Sequence, residues 1–222
     1  MKDRAGILTW APQPARRGPL EILCVGAHCD DIEIGCGATL LRLAEERPVA
    51  VTWVVLSGSS VRQAESERSA KSFLAGARRQ RVMFGGFRDG YFPSEHAAIK
   101  EFFERLKQLP VPDLIFTHER GDLHQDHRIA GELTWNTFRN HAIFEYEIPK
   151  YDGGLGQPNV YAPVTAAQAR RKARYLLAAY ATQRAKRWFT EDTFSALLRL
   201  RGVECNAASG FAEAFHGRKV VI

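Results

Sequence analysis

Val49 to Leu56 reads Val-Ala-Val-Thr-Trp-Val-Val-Leu, a run without a single charge. It is far short of the roughly 18 apolar residues that a bilayer span needs. It does not alternate, so neither of its faces suits water. Strands buried on both faces belong to parallel sheets covered by helices. Similar runs recur at Glu21 to Ala27, Arg81 to Phe84, Pro112 to His118 and Ile143 to Ile148. Between them lie helical stretches. Ile34 to Glu46 carries Leu40, Leu41 and Leu43 at helical spacing, and Arg62 to Leu74 and Glu95 to Leu109 follow, the last stopped by Pro110. His124 to Asn140 is another helix. Thr165 to Leu200 reads as further helices, with Tyr175, Leu176, Ala179 and Tyr180 as an apolar stripe. This alternation predicts an α/β fold: a Rossmann-like, mostly parallel sheet with helices on both faces, in a single domain. Residues 1–19, with Pro12, Pro14 and Pro19, read as an irregular lead-in, and 20–222 as the domain.

In such sheets, ligands sit beyond the carboxyl ends of the strands. His28, Ser57 and His118 all follow apolar runs at those ends. The most informative is Ala27-His28-Cys29-Asp30-Asp31-Ile32-Glu33-Ile34-Gly35-Cys36-Gly37. Charges placed at the end of a buried strand are expensive unless something uses them. A divalent cation would, because neutral imidazole and carboxylate offer lone pairs at neutral pH. His28 and Asp31, three residues apart on a strand-to-helix turn, can converge on one point. Asp30 cannot point the same way as Asp31. It is left free to take a proton from a water polarised by the cation. The plainer alternative is that both aspartates only cap the following helix.

A second fragment, His124-Gln125-Asp126-His127, sits about a hundred residues away. At i and i+3 of a helix start, its two rings lie near each other. One can bind metal and the other can donate a hydrogen bond to a developing oxyanion. Asp126 is placed to orient a ring, with Asp122 nearby to help. With His127 as the ligand, His28, Asp31 and His127 make a two-histidine, one-carboxylate set. Hydrolytic zinc uses such a set. So does ferrous iron in oxygenases, and ligand identity does not separate the two. The extra base at Asp30 favours hydrolysis.

The stretch AHCDDIEIGCGATL followed by HQDH resembles the PIG-L/LmbE-like deacetylases, whose signatures are AHPDD and HxDH. The resemblance runs from about Glu21 to at least Asp152, through Arg62-Gln63-Ala64-Glu65, Gly86-Phe87-Arg88-Asp89-Gly90 and Thr117-His118. It implies a Rossmann-like fold, a divalent metal, usually zinc, and hydrolysis of an N-acyl group, typically acetyl on an N-acetylglucosamine-type sugar. Carried over by position, His28, Asp31 and His127 are the metal ligands, and Asp30 is the general base. His124 stabilises the oxyanion, with Asp126 behind it, and Arg62 contacts substrate. One departure is plain: Cys29 stands where the family has proline. Proline would fix the turn. Cysteine leaves it adaptable, and its thiol is expected to point away from the metal.

Lys and Arg number 31 and Asp and Glu 25, a balance of +6. That helps to draw in anionic substrates and does not itself indicate nucleic acid. The basic concentrations at Arg170 to Arg174 and Arg184 to Arg187 read as solvated helix faces. The cysteines at 24, 29, 36 and 205 show no CxxC spacing, so they read as buried and reduced. Met1-Lys2-Asp3-Arg4 lacks an apolar signal core, and the expected compartment is the cytoplasm. The expected partner is a small N-acylated sugar or sugar conjugate, with neither nucleic acid nor membrane. A homo-oligomer stays open, since Trp188, Phe189 and Phe194 suit either core packing or a subunit contact. Two other functional readings remain: an amidase for a sugar–thiol conjugate, and a binding module for metal or sugar nucleotide without turnover.

Overall fold

The computed structural model describes Pro14 and residues 17–219, so most of the expected lead-in lies outside the described residues. Seven strands form one sheet in the order β3-β2-β1-β4-β5-β7-β6. β1 (Leu20–Gly26), β2 (Val49–Ser57), β3 (Arg79–Phe87), β4 (Leu114–His118) and β5 (Ala142–Tyr146) run parallel. The sheet therefore grows outwards from β1 in both directions. Its topological switch point lies between β1 and β4, where a crevice opens beyond the strand ends.

Helices cover both faces, as the buried strands β1, β2 and β4 require. α1 (Asp31–Glu46), α2 (Ser60–Phe73), α5 (Ala166–Ala179) and α6 (Glu191–Glu204) pack together on one side. α3 (Phe92–Leu106) and α4 (Gln125–Thr137) pack on the other. Trp53, Phe73 and Phe116 fill the first core, and Val54, Phe92 and Phe103 the second. Gly131 lets α4 approach closely, since a Cβ there would lie 2.6 Å from the His118 carbonyl oxygen. Gly35 does the same for α1, its missing Cβ falling 2.3 Å from the ring of Tyr146. Phe189 and Phe194 are buried in the first core and Trp188 packs against it, so this trio is core packing.

Two strands escaped the sequence pattern. β6 (Val160–Pro163) and β7 (Ala212–Gly217) close the sheet, with β7 antiparallel to both β5 and β6. The tail is therefore part of the sheet as well as its cover. Glu213 on β7 accepts from the backbone N–H groups of Ala38 and Thr39, in the middle of α1. Lys172 on α5 pairs with Glu213 at 2.6 Å and donates to the Ile34 carbonyl. These are backbone groups that an undisturbed helix pairs internally. A buried ion pair from the tail thus grips the helix that begins at the candidate site.

Candidate metal centre and cleft

β1 ends at Gly26, and the chain turns through His28 and Asp30 into α1. Asp30 occupies the N-cap position with φ 108°, a left-handed conformation that few non-glycine residues adopt. Its side chain makes no cap hydrogen bond. It faces Arg62, whose Nη2 lies 3.0 Å from Oδ2. The capping alternative therefore fails for Asp30. The turn instead sends the two adjacent carboxylates in different directions, at a conformational cost of about 1–3 kcal/mol.

Asp31 turns inwards. Its Oδ2 accepts the His28 backbone N–H at 2.7 Å and lies 3.1 Å from His118 Nε2. It also lies 3.4 Å from His28 Nδ1 and 3.7 Å from His127 Nε2. The two ring nitrogens are 3.1 Å apart. Three donor atoms from two distant segments therefore surround one point. A tetrahedral zinc site with bonds of about 2.0–2.1 Å spaces its donors about 3.3 Å apart.

The outward nitrogens complete the fit. His28 Nε2 faces Asp126 at 3.2 Å and Asp89 at 3.1 Å. His127 Nδ1 faces Asp122 at 3.1 Å. A proton held there by carboxylate leaves the inward nitrogen of each ring with a free lone pair. This is the usual arrangement around metal-binding histidines. Other groupings of donors share these residues: His28, His124 and His127; Asp31, His118 and His127; and His28, Asp89 and Asp126.

The electrostatics separate the two aspartates. Burial pushes Asp30 up to about 7; Arg62 opposes this and the Asp31 charge adds to it. Asp31 is also buried, yet His127, His118 and His28 hold it well below the usual carboxylate range. Burial lowers His127 to about 3, so its ring is neutral. Burial would also lower His28, but Asp126, Asp31 and Asp89 raise it well above an ordinary histidine. A cation bound here would displace that proton.

His124 is the N-cap of α4, where its Nδ1 accepts the Asp126 N–H at 3.3 Å. Its ring lies 5.0 Å from that of His28 and 4.6 Å from that of His127. Burial and the neighbouring His28 lower its pKa, which favours the neutral ring. With Nδ1 accepting, its proton sits on Nε2. The Asp126 carboxylate is not behind His124; it grips His28 and the N–H groups of Gly90 and Phe92. Arg62, expected to meet substrate, also binds Glu65 and Thr182 and lies 5.0 Å over the Tyr180 ring. Cys29 turns away, with Sγ directed to the Ser57 carbonyl, and burial drives its thiol up to about 12.

The sequence places His118 at a strand end where ligands sit, but gives it no role. His118 is fully buried and stacked on His127, with ring centroids 3.9 Å apart. Its Nε2 either accepts the Ala27 N–H or donates to Asp31; one nitrogen cannot do both. Asp89 and Lys150 were not singled out as site residues. They come from loops whose approach depends on tertiary packing.

A cleft of about 730 Å³ opens over the site, with Asp89, His124 and Lys150 in its lining. His28, Asp30, Asp31 and His127 lie in its floor. Arg88, Tyr151, Lys186 and Trp188 stand around its rim.

The fold is one that known proteins share. A sequence profile of the GlcNAc-PI de-N-acetylase family, PIG-L, matches residues 23–138, just over half of the chain. The protein belongs to that family. The uncharacterized deacetylase YaiS of Escherichia coli K12 is 29% identical over 142 residues, covering 58% of this chain and 74% of that one. The N,N'-diacetylchitobiose deacetylase of Pyrococcus horikoshii superposes with a TM-score of 0.71 at 19% identity, over 90% of this chain and 84% of that one. GalB of Pseudomonas putida KT2440, a 4-carboxy-2-hydroxymuconate hydratase, gives 0.70 at 16% identity, over 91% and 97%. The two structures share this fold and differ in reaction, so the fold alone does not choose the chemistry.

Proposed function

We propose that the protein is a divalent-cation-dependent hydrolase that removes an N-acyl group, acetyl in the first instance, from a substrate containing an amino sugar. Family membership supports the deacylase class. The observation that carries the reading is the divergence of Asp30 and Asp31. One carboxylate joins two histidines around a point, and its neighbour stands beside that point with a proton affinity near neutrality.

His28 Nδ1, Asp31 Oδ2 and His127 Nε2 would hold the cation, for which zinc is the first choice and ferrous iron the second. When bound, it would supply Lewis-acid polarisation of the amide carbonyl and acidify a nearby water. Asp30 accepts the proton of the attacking water, for which a pKa near the working pH is well matched. The Nε2–H of neutral His124 donates to the developing oxyanion. The amine then leaves with the proton that Asp30 took up. Arg62 keeps Asp30 in place and partly ionised. Asp126 and Asp122 fix the rings of His28 and His127.

The test is acetate release. Zinc-loaded protein is incubated with a panel of N-acetylated sugars, their phosphates and their sugar conjugates. Release from at least one, abolished by a chelator and absent in Asp30→Asn, is the expected result. No acetate from any of them would overturn the amino-sugar reading.

A further inference from the structure

The chain between β5 and β6 forms a strap across one wall of the cleft. Its neck is closed by buried groups. Arg201 on α6 donates to both carboxylate oxygens of Glu147 and to the Gly156 carbonyl, and the Gly156 N–H donates to Glu147. Its tip is open, with Tyr151 78% exposed. Lys150 points inwards between them. Its Nζ donates to Asp122 Oδ2 at 2.7 Å and to the Ile148 carbonyl at 2.9 Å.

That Asp122 oxygen is the one 3.1 Å from His127 Nδ1. The other oxygen accepts the His124 N–H at 2.7 Å. Asp122 is 3% exposed, so water cannot replace a lost partner cheaply. Lys150 adds a charged donor to the oxygen that faces His127, and with the His124 N–H on the other oxygen it holds the carboxylate in one orientation. That orientation sets which way the His127 ring faces.

We infer that Lys150 is a positioning residue for the metal centre, acting through Asp122 on His127 and tying the seating of the strap to the strength of cation binding. This rests on the reading that His127 is a ligand. Outer partners of metal-bound histidines are typically worth 10–100-fold in affinity. Lys150 acts one link further out, so the lower end, about 10-fold, is expected.

The experiment is zinc affinity of the full chain, measured by competition with a chromogenic chelator. The proteins are wild type, His127→Ala, Asp122→Asn, Lys150→Met, Lys150→Gln, Lys150→Arg and the double variant Asp122→Asn/Lys150→Met. Two neutral variants guard against one of them folding poorly, which thermal melts detect. Both are expected to weaken zinc binding about 10-fold, with Arg restoring part of the loss. The double variant is expected to bind zinc no worse than Asp122→Asn alone, because both changes break one chain of contacts. A deacylation rate lost at limiting zinc should return at saturating zinc. Wild-type affinity in both neutral variants would overturn the inference, as would additive losses in the double variant. So would a KM change at saturating zinc with affinity intact. If His127→Ala also binds zinc as tightly as wild type, it is the ligand assignment that fails.

Discussion

The floor and the rim of the cleft are built by different rules. On the floor and just beneath it, Asp31, Asp126 and His127 are all but fully buried, and each side chain faces two or more partners. Every floor residue named lies within residues 23–138, the part that the family profile matches. On the rim, Tyr151 and Lys186 are exposed and Trp188 is half-buried. These three come from outside that part. Arg88 lies over the Tyr91 ring and Lys186 near the Trp188 ring, and among the described residues no carboxylate pairs with either. A floor of this kind holds a fixed geometry for chemistry. A rim of this kind adapts to what enters. Apart from Arg88, the residues named on the rim come from a different stretch of chain than the floor.

The comparison breaks first if the floor tolerates change. His127→Ala is expected to lose zinc and with it essentially all turnover, read by metal analysis after dialysis and by acetate release. Asp30→Asn is expected to keep one zinc per chain while kcat falls by about 10²–10⁴. Loss of zinc from that variant would move Asp30 into the ligand set.

Arg62→Met sharpens the comparison at the boundary between floor and rim. Arg62 lowers the Asp30 pKa, which burial sets near 7. Activity requires Asp30 ionised, so the rate climbs as pH rises through its pKa in the loaded site, which the cation would lower. Without the guanidinium, this acid limb is expected to move to higher pH by on the order of one unit. A pH profile of kcat/KM reads the shift, and an unmoved limb would detach Arg62 from the base. The smallest effects belong to the rim. Trp188→Ala and Tyr151→Ala are expected to raise KM up to about 10-fold with kcat nearly unchanged, since they remove uniform binding.

Much of the floor was legible because local pattern carries it. Largely apolar runs mark the strands, and His28, Asp30 and Asp31 stand directly after one of them. The spacing of His124 and His127 marks a helix start. Which carboxylate serves which ring was not legible. Asp126 lies beside His124 in sequence, but the fold brings β1 next to β4 and delivers it to His28. β7 was missed because Ala-Glu-Ala-Phe-His-Gly lacks a continuous apolar run; its Glu213 is buried as half of an ion pair. β3 is longer than its apolar centre suggests, because as an edge strand it keeps exposed arginines while pairing with β2. Lys150 had no local signal at all, since its meaning comes from a carboxylate 28 positions away.

Anomalous diffraction from a zinc-loaded crystal tests the central claim most directly. The account predicts one strong peak about 2.0–2.2 Å from His28 Nδ1, Asp31 and His127 Nε2, with the Asp30 carboxylate outside bonding distance. A peak on the far side of the His28 ring, between Asp89 and Asp126, or no peak in this cleft, would contradict it.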